Sequence, residues 1–591
     1  MVSTKLRTHT CGELNSRYKG KEVMLSGWVN TRRDHGGIIF IDLRDRYGIT
    51  QVVLDPKEIS DADKLRREFV IKIKGKVRSR PAGMENKKIL TGEIEIEVAE
   101  LQILNESEVP PFEIDDNKVV ANEDLRLKYR YLDLRRPQMQ ERLLIRHKTA
   151  QSTREYLSSQ SFIEIETPMF VKTTPGGARV FKVPSRGHPG KFYALPESPQ
   201  MYKQLLMVAG CDRYFQLARC MRDEDLRTDR QPEFTQIDME MSFIDKEDIY
   251  AVIEGLLTHI FKEVLNLNIK KSFPKLTFYE AMSRFGSDKP DLRFSMELKE
   301  ISRIVEKSAF SVFTNALSKN EGVVYCLNAE GCGNFSRKEV DELIDIAKTY
   351  KLSGLSWTKV IGKNKLESSI TKYLSEKIQL EVIKNTNAKN GDLLLFAADE
   401  FEKATNALGQ IRLYIGKKLK LIKNNEYKFC WITDFPLFEF NEEINKWQAR
   451  HHIFTSPEDE DIPLLEKDPG KVKAKAYDIV LNGTEIGGGS IRIHRKDIQS
   501  RTLQVTGLTY EEAEKKFDFL INAFKYGAPV HGGIALGFDR LCALLCGIED
   551  IREVIAFPKN KAAENPLDGS PQEWTQEFLK ELNLKLDIVK K

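Results

Sequence analysis

The sequence predicts an α+β protein of several domains that begins with a five-stranded β-barrel of the OB-fold type. At 591 residues the chain is longer than one hydrophobic core usually supports. Residues 1–104 contain five short stretches that alternate or are rich in β-branched residues, as strands are. Beyond them, segments with apolar residues three and four apart are mixed with further alternating stretches, which predicts helices and strands together. One such helix is predicted over residues 393–419.

The first five strands are predicted at 23–29, 38–43, 50–55, 69–77 and 93–101, with a helical run at 57–68 between the third and fourth. That order is typical of an OB-fold, whose sheet face often binds oligonucleotides. Cations, one aromatic ring and one amide lie on these strands and suit unpaired bases: Arg33, Phe40, Gln51, Arg78 and Arg80. An ordinary barrel with basic turns and a core phenylalanine would show the same residues, so the barrel alone leaves both interpretations open.

The composition is that of a soluble globular protein, with 41% hydrophobic and 30% charged residues. No apolar run is as long as a membrane span, and the first residues lack an apolar signal core, so we expect a cytoplasmic protein without a membrane partner. The eight cysteines include no CxxC pair, which argues against a zinc ribbon or a disulfide framework. A net charge of +4 permits a nucleic-acid partner without requiring one.

A charged hairpin at 219–243 is the first candidate site. If EFTQIDMEMSF is a strand, its period of two places polar side chains on one face. These residues are Phe234, Gln236, Asp238, Glu240 and Ser242. The connecting loop DEDLRTDRQP carries further charges, so strand and loop could form the floor and lid of a site for a charged ligand. A solvated hairpin with a salt-bridged loop is the alternative.

The segment YDIVLNGTEIGGGSIRIH, residues 477–494, is the second candidate site. Asn482 and Gly483 predict a tight hairpin turn. Asp478 and Glu485 form a carboxylate pair of the kind that holds Mg²⁺ against phosphate oxygens. Arg492, on the return strand, could bind a ligand carboxylate with two parallel hydrogen bonds. A structural salt bridge from Arg492 to Glu485 is the alternative.

Four segments resemble the class II aminoacyl-tRNA synthetases, in the form found in bacterial-type aspartyl enzymes. RDEDLRTDRQPEFTQID is similar to motif 2, and GAPVHGGIALGFDRLCALL, a strand that runs into a helix, is similar to motif 3. The long helix before FIEIETPMF resembles motif 1, and WVNTRRDHGGIIFIDLRDRYG resembles the anticodon-binding domain. The resemblance implies an antiparallel-sheet catalytic domain, a homodimer and an α/β insertion domain between motifs 2 and 3.

The resemblance also implies roles for individual residues. Arg222 and Arg540 would act in catalysis by binding the α- and γ-phosphates. The implied ATP-binding set is Arg222, Asp223, Glu224, Gln231, Phe234, Glu485, Gly537, Phe538, Asp539 and Arg540. The implied aspartate-binding set is Gly176, Gln200, Lys203, Arg222, Asp238, His451 and Arg492. Gly176 departs from the family's usual glutamate, which leaves Asp238 to hold the substrate's ammonium group.

In the barrel, the resemblance implies anticodon contacts by Arg33, Phe40, Gln51, Arg78, Arg80 and Glu95. His35 and Gly83 match a family pattern that accompanies charging of tRNA(Asn) as well as tRNA(Asp). Asp478 and Glu485 would bind Mg²⁺. The expected domain boundaries are a barrel at 1–104, a hinge at 105–140, catalytic parts at 141–294 and 426–560, an insertion at 295–425 and a C-terminal extension at 561–591.

The implied reaction joins ATP and L-aspartate into aspartyl-adenylate and then transfers aspartate to the 3′ end of tRNA(Asp). Two alternatives remain from the sequence. An asparaginyl or lysyl synthetase would share the architecture, although the insertion and Arg492 argue against both. A synthetase-like protein that binds RNA without catalysis would usually lack Arg222, Arg492 and Arg540, all of which this chain retains.

Overall fold

The computed structural model describes residues 3–114, 121–173, 179–319, 321–362, 365–423 and 425–587. These residues form two compact units. The first takes in the chain up to Arg146 together with Leu226–Gln231 and Asp550–Trp574. The second takes in His147–Asp225, Pro232–Glu549 and the chain from Thr575 onward.

The first unit contains the predicted OB-fold barrel. Its strands close in the order β1-β2-β3-β5-β4, with β3 and β5 parallel. They are β1 Glu22–His35, β2 Ile38–Asp45, β3 Gly48–Leu54, β4 Val70–Ser79 and β5 Ile94–Asn105. All five predicted strands are confirmed. The predicted helix at 57–68 is wrong: only a 3₁₀ turn, Ala62–Lys64, forms there. Ile59, Ala62 and Leu65 are buried at a spacing of three, which suits a 3₁₀ turn better than an α-helix.

Helices follow the barrel in chain order. They are α1 Glu123–Lys128, α2 Arg130–Asp133 and α3 Pro137–Ser159. Within the first unit, the buried Arg130 donates hydrogen bonds to the carbonyl oxygens of Arg552, Ile555 and Ala556. Residues more than 400 positions apart are thereby joined in one unit.

The second unit is built on an eight-stranded sheet in the order β11-β17-β20-β21-β22-β10-β9-β6. Only the outer pairs β11–β17 and β6–β9 are parallel. The predicted antiparallel-sheet catalytic domain is therefore confirmed. Its first elements are β6 Ile163–Glu164, β7 Lys182–Pro184, β8 Phe192–Ala194, α4 Gln200–Val208, β9 Arg213–Met221, β10 Glu233–Ser242, α5 Lys246–Leu265, β11 Lys275–Thr277 and α6 Phe278–Phe285.

The segment that follows is a separate five-stranded sheet in the order β12-β13-β16-β14-β15, antiparallel at every pair and with an apolar core on each face. Its elements are β12 Leu298–Glu300, α7 Ser302–Val305, α8 Ser311–Leu317, β13 Gly322–Ala329, α9 Arg337–Thr349, β14 Ser356–Ile361, β15 Lys365–Glu367, α10 Glu376–Asn385, β16 Leu393–Glu400 and α11 Phe401–Lys418. The sequence had predicted helix throughout 393–419, but 393–400 is the central strand β16. Its apolar residues are buried on both faces, so their pattern lacks the alternation of a half-buried strand.

Arg412 of α11 fixes this segment to the chain that precedes it. Its side chain is fully buried and donates hydrogen bonds to the carbonyl oxygens of Asp291, Phe294 and Met296, at 2.9–3.0 Å. The guanidinium also lies 3.9 Å from the ring centre of Phe294 and 5.1 Å from that of Phe285. Burial lowers the pKa of Arg412 to about 10, so the group stays charged at neutral pH.

The remaining elements complete the eight-stranded sheet and the chain. They are β17 Phe429–Thr433, β18 Phe438–Asn441, β19 Lys446–Ala449, β20 Ala476–Leu481, β21 Thr484–Ile491, α12 Lys496–Val505, α13 Tyr510–Lys516, α14 Asp518–Phe524, β22 His531–Gly537, α15 Phe538–Leu545 and α16 Gln576–Glu581. The predicted turn is confirmed: Asn482 and Gly483 both have positive φ, 53° and 81°, and join β20 to β21. Among the described residues, no helix combines the length and the apolar character needed to cross a bilayer.

Candidate functional site

Small residues at the centre of the eight-stranded sheet make room for polar side chains. One row of paired residues crosses four neighbouring strands. It contains Asp238 of β10, Ala535 of β22, Gly488 of β21 and Asp478 of β20, in that order. Because residues in register point to the same face, two carboxylates flank a trough whose floor is Ala535 and Gly488. Three strand spacings separate them, roughly 14 Å.

The next row contains Glu240 of β10, opposite Gly533, which lies opposite Ser490. Gly533 is required here because a Cβ atom at that position would lie 2.0 Å from Oε2 of Glu240. The glutamate side chain therefore occupies space that any larger residue on β22 would take.

Four buried charges meet above this row. Lys203 of α4 lies 2.7 Å from Oδ1 of Asp238 and 3.4 Å from Oε2 of Glu240. Arg492, just after β21, binds Glu240 through two hydrogen bonds of 2.9 and 3.2 Å. All four side chains are at most 2% exposed, so two cations and two anions balance one another away from water.

The two carboxylates differ in their electrostatics. Burial raises the pKa of Asp238 above its ordinary value despite the opposing charge of Lys203. Burial acts on Glu240 in the same direction, but Arg492 and Lys203 together hold its pKa below the ordinary value. In addition, Oδ2 of Asp238 is buried and has no hydrogen-bond partner among the described residues. Asp238 therefore presents an acceptor for a ligand cation, whereas Glu240 is bound to its neighbours.

Arg492 and its surroundings exclude one sequence alternative. Its partner is Glu240 and not Glu485, which lies beside Val480 at the far end of β21. The Nη1 group of Arg492 also contacts Ser490 at 2.7 Å and Nε2 of His452 at 2.8 Å.

His452 was not selected by the sequence analysis, and the role of its neighbour His451 toward the substrate stays a prediction. The structure places the His452 ring on Arg492, and burial, with that positive charge, holds the pKa of His452 well below its ordinary value. His451 is exposed, and its ring meets Phe435 edge-on at a centroid distance of 4.9 Å. The two adjacent histidines carried no signal that could tell them apart.

A cavity of about 550 Å³ lies beside these residues, with Gln200, His451, His452, Trp447 and Phe454 in its wall. Nε2 of Gln200 is buried there and has no hydrogen-bond partner among the described residues. The cavity is thus lined both by the unpaired amide N–H group of Gln200 and by His452, which contacts Arg492. Gly176, the remaining predicted aspartate contact, lies outside the described residues.

Arg222 and Phe234 lie together at the other end of the polar face of β10. The Arg222 guanidinium lies 5.1 Å from the ring centre of Phe234, and its Nε donates to the carbonyl oxygen of Glu197 at 3.4 Å. Asp223 is exposed and Glu224 is half-buried in the loop that follows. A half-buried cation beside an aromatic face is the pair that a nucleotide's phosphate and base would need.

The predicted site residues at the start of α15 contact the neighbouring strands. Arg540 donates to the carbonyl oxygen of Glu485, which ties α15 to β21. Asp539 accepts the backbone N–H of Thr235 at 2.7 Å, and Phe538 is buried. Gly537 lies opposite Gln236 at the end of β22. The carboxylate of Asp539 therefore joins α15 to β10.

Gln231 belongs to the first unit, where its side-chain amide is bound at both ends. Oε1 accepts from the backbone N–H of Lys559 at 2.8 Å, and Nε2 donates to the Lys559 carbonyl oxygen at 3.2 Å. This contact accounts for its burial, and its role toward a nucleotide stays a prediction.

Asp478 and Glu485 fit a divalent cation. A Cβ atom on Gly488 would lie 2.4 Å from Oδ1 of Asp478 and 3.9 Å from Oε1 of Glu485, so the two carboxylates converge over this glycine. Burial, and then the charge of Glu485, raise the pKa of Asp478 well above its ordinary value, a repulsion that a cation would relieve. The described part of the chain holds no group of three or more metal-binding side chains. An ion here would complete its shell with ligand and water oxygens, as Mg²⁺ does.

Four of the six predicted anticodon residues form one hydrogen-bonded network on the barrel. Arg33 donates to Asp42 at 3.0 Å and to Gln51 at 3.2 Å, and Gln51 donates to Glu95 at 2.7 Å. Glu95 also accepts from Arg78 at 2.8 Å. The backbone of Phe40 pairs with that of Arg33 in the β1–β2 hairpin.

Three further barrel residues complete the predicted set. Arg80 is buried and its Nη2 group has no hydrogen-bond partner among the described residues. The His35 ring lies 6.1 Å from that of Phe40, whereas Gly83 lies in the connection between β4 and β5. The barrel network therefore carries donors and one aromatic face, as unpaired bases require.

Comparison with known proteins gives matches along most of the chain. Residues 122–561 match the class II tRNA synthetases (D, K and N), and residues 23–104 match the OB-fold nucleic acid binding domain. An aspartate–tRNA(Asp/Asn) ligase of Caldanaerobacter subterraneus is 53% identical, over 98% of each chain. An aspartate–tRNA ligase of Ruminiclostridium cellulolyticum is 51% identical, also over 98% of each chain.

Among solved structures, an asparaginyl-tRNA synthetase of Pyrococcus horikoshii, complexed with asparaginyl-adenylate, superimposes with a TM-score of 0.59. It is 20% identical, over 94% of this chain and 98% of its own. An aspartyl-tRNA synthetase of Entamoeba histolytica has a TM-score of 0.56 and 19% identity, over 93% of this chain and 90% of its own. At this identity the two structures establish the fold.

The charge cluster predicts a pH-dependent loss of stability in Glu240→Gln. At pH 7 the substitution leaves Arg492 buried without its carboxylate, and we expect the free energy of unfolding to fall by about 3 kcal/mol. Because the pKa of Glu240 is held below its ordinary value of 4.5, this contribution is complete above that pH and is lost as the pH falls further. Urea unfolding at several pH values measures the difference from wild type, which should shrink below pH 4.5.

Glu233→Gln is the matched control, because Glu233 pairs with Arg219 at the surface, where the two side chains are 37% and 45% exposed. It should change stability by less than about 0.5 kcal/mol. A Glu240→Gln penalty that is absent at pH 7, or that does not change on acidification, would contradict the assignment.

Proposed function

The chain belongs to the class II tRNA synthetases, and from this membership we propose that it is an aspartate–tRNA ligase. It activates L-aspartate with ATP to aspartyl-adenylate and transfers the aspartyl group to the 3′ end of tRNA(Asp). The observation that carries the choice of amino acid is the buried Arg492, aligned by Glu240 beside Lys203 and the unsatisfied oxygen of Asp238.

Support for aspartate comes from the charges at this end of the trough. Four of the five N–H groups of Arg492 contact Glu240, Ser490 and His452, which fixes the plane of the guanidinium. The fifth N–H group and the positive charges of Arg492 and Lys203 favour a side-chain carboxylate, which is negatively charged and has only acceptor atoms, over an amide, which is neutral and has two N–H donors of its own. Asparagine would therefore lose the charge-assisted contact and bring its own N–H groups toward buried donors, a cost that discriminates strongly between substrates.

In the proposed arrangement, Asp238 holds the ammonium group of aspartate, and Gln200 and Lys203 complete the pocket. Arg222 contacts the α-phosphate and Phe234 stacks on adenine. Arg540, in the first turn of α15, faces the γ-phosphate. Asp478 and Glu485 would hold Mg²⁺, which neutralises charge on the triphosphate when it is bound.

No protein nucleophile is needed for the proposed chemistry. The α-carboxylate of aspartate attacks the α-phosphorus, the bond to the bridging oxygen of pyrophosphate breaks, and the mixed anhydride forms. A ribose hydroxyl at the end of the tRNA then attacks the aspartyl carbonyl carbon, and AMP leaves. The residues contribute position and positive charge, which can supply most of such an acceleration.

We propose tRNA(Asp) as the acceptor and tRNA(Asn) as a second one. The first is supported by the barrel network of Arg33, Gln51 and Glu95. The second is supported by His35 and Gly83, and by the relatives called aspartate–tRNA(Asp/Asn) ligase.

The proposal includes a homodimer and a cytoplasmic location. The edge strand β6 and the chain after it expose a run of large apolar residues, of which Ile163 is 54% exposed and Phe170 is 58% exposed. An exposed strand edge with apolar neighbours is a surface that a second subunit would cover. All eight cysteines are free thiols, as is usual in the cytosol.

Charging of purified transcripts tests the function. We expect labelled aspartate, but not asparagine or lysine, to be attached to tRNA(Asp) in the presence of ATP and Mg²⁺. Aspartate on tRNA(Asn) at a similar rate would support the second acceptor, and substitution of His35 should then affect tRNA(Asn) more. Charging with asparagine or lysine, or RNA binding without charging, would overturn the proposal.

Arg222→Ala should slow aspartate-dependent ATP–pyrophosphate exchange by roughly 10²–10³-fold, because a charge at the reacting phosphate is lost. The folded protein should unfold at the same temperature as wild type, since Arg222 is only half-buried. Arg219→Ala, three residues earlier near the end of β9 and paired at the surface with Glu233, is the control and should keep near wild-type exchange. Equal rates for the two variants would remove Arg222 from the mechanism.

Sedimentation equilibrium should give twice the mass of one chain for the wild-type protein, and Phe170→Asp should shift it toward one chain. The substitution places a charge in the apolar surface after β6, where desolvation on association would be costly. Phe440→Asp is a matched control on a separate hairpin, where the phenylalanine is 47% exposed. A wild-type mass of one chain at micromolar concentration would refute the dimer.

A further inference from the structure

A second pocket lies on the barrel, away from the predicted anticodon residues. It has a volume of about 380 Å³ and is lined by Arg7, Trp28, Arg46, Tyr47 and Val70 among others. Trp28 pairs with Arg44 in the β1–β2 hairpin, whereas Arg33 pairs with Phe40. Trp28 and Arg33 are five positions apart, which places this Tyr47 pocket roughly 17 Å along β1 from the base-binding candidates.

Two arginines lie over the ring of Tyr47. The guanidinium of Arg46 lies 4.7 Å from the ring centre and that of Arg7 lies 5.8 Å from it. Tyr47 is 39% exposed, so part of the ring remains open to solvent. Two cations at an accessible aromatic face resemble the features with which proteins bind the backbone and bases of RNA.

The turn that carries Tyr47 is rigid. Asp45 accepts the backbone N–H groups of Tyr47 and Gly48 through one oxygen, at 2.8 and 3.2 Å, and that of Cys11 through the other, at 2.9 Å. The ring is therefore presented from a fixed backbone, which reduces the entropy lost when a ligand binds.

Gly27 also lines the pocket and lets β1 lie close to β2, since a Cβ atom there would lie 2.4 Å from the carbonyl oxygen of Arg44. The charge of the pocket is positive. Arg7 lies 3.6 Å from Asp45, a carboxylate already engaged by three backbone N–H groups, and Arg46 is exposed.

We propose that the Tyr47 pocket binds the sugar–phosphate backbone of the tRNA, outside the nucleotides that the Arg33–Gln51–Glu95 network contacts. This inference rests on the proposed function. Arg7 and Arg46 each neutralise a phosphate, and Tyr47 packs against the adjoining sugar or base. Such contacts set affinity and register but do not read sequence.

The test compares wild type with the full-length double variant Arg7→Gln/Arg46→Gln in tRNA(Asp) binding between 50 and 200 mM salt. Each lost phosphate contact should reduce the slope of log K against log salt by about 1, so the double variant should lose about 2. Affinity at 50 mM salt should fall by roughly tenfold or more, to the same extent for tRNA(Asp) with its native or a replaced anticodon. Arg66→Gln, an exposed arginine elsewhere on the barrel, should keep the wild-type slope.

Two outcomes would overturn the pocket. If the folded double variant keeps the wild-type salt slope, the two arginines do not contact phosphates. If its melting temperature also falls while the slope is unchanged, both arginines have a structural role instead. A tyrosine variant that leaves the arginines in place, Tyr47→Leu, should weaken binding without changing the slope. Failure of the proposed function is separate: it would show as absent aspartate-dependent ATP–pyrophosphate exchange in the wild type, a reaction that needs no tRNA.

Discussion

The requirement that four buried charges balance one another constrains the whole second unit. Lys203, Asp238, Glu240 and Arg492 come from α4, β10 and the end of β21, so the helix and two strands must meet at fixed positions. The cluster fits only because β22 contributes Gly533 between β10 and β21. An unpaired member would cost several kcal/mol, which explains why such a site needs a rigid sheet.

The eight-stranded sheet also fixes the positions of the polar side chains along and across the trough. Side chains two apart on β10 carry Phe234, Gln236, Asp238 and Glu240 along one face, from the Arg222 end to the cavity. Across the strands, Asp238 and Asp478 flank a floor of small residues. Regular backbone pairing thus sets the spacing between the proposed amino-acid end and the proposed phosphate end, so that in the proposed reaction the protein holds charges at fixed distances.

Patterns within one strand were readable from the sequence, whereas contacts between distant strands were not. The barrel strands, the polar face of β10 and the Asn482–Gly483 turn follow from local periodicity and turn chemistry. The partner of Arg492 depends on which strand lies two places away, so the sequence alone could not decide between Glu485 and Glu240. The choice between His451 and His452 likewise depends on a loop that no period describes. The strand at 393–400 was misassigned because a fully buried strand lacks alternation.

Arg412 has a consequence for how this protein can change over evolutionary time. Its hydrogen bonds go to backbone carbonyl oxygens of residues 291–296, and a carbonyl oxygen is present whatever side chain the residue carries. Most of those side chains can therefore be substituted without loss of these hydrogen bonds, whereas substitution of the arginine would remove all of them at once. This joint of the five-stranded segment therefore depends on the identity of one arginine much more than on the identities of the residues it binds.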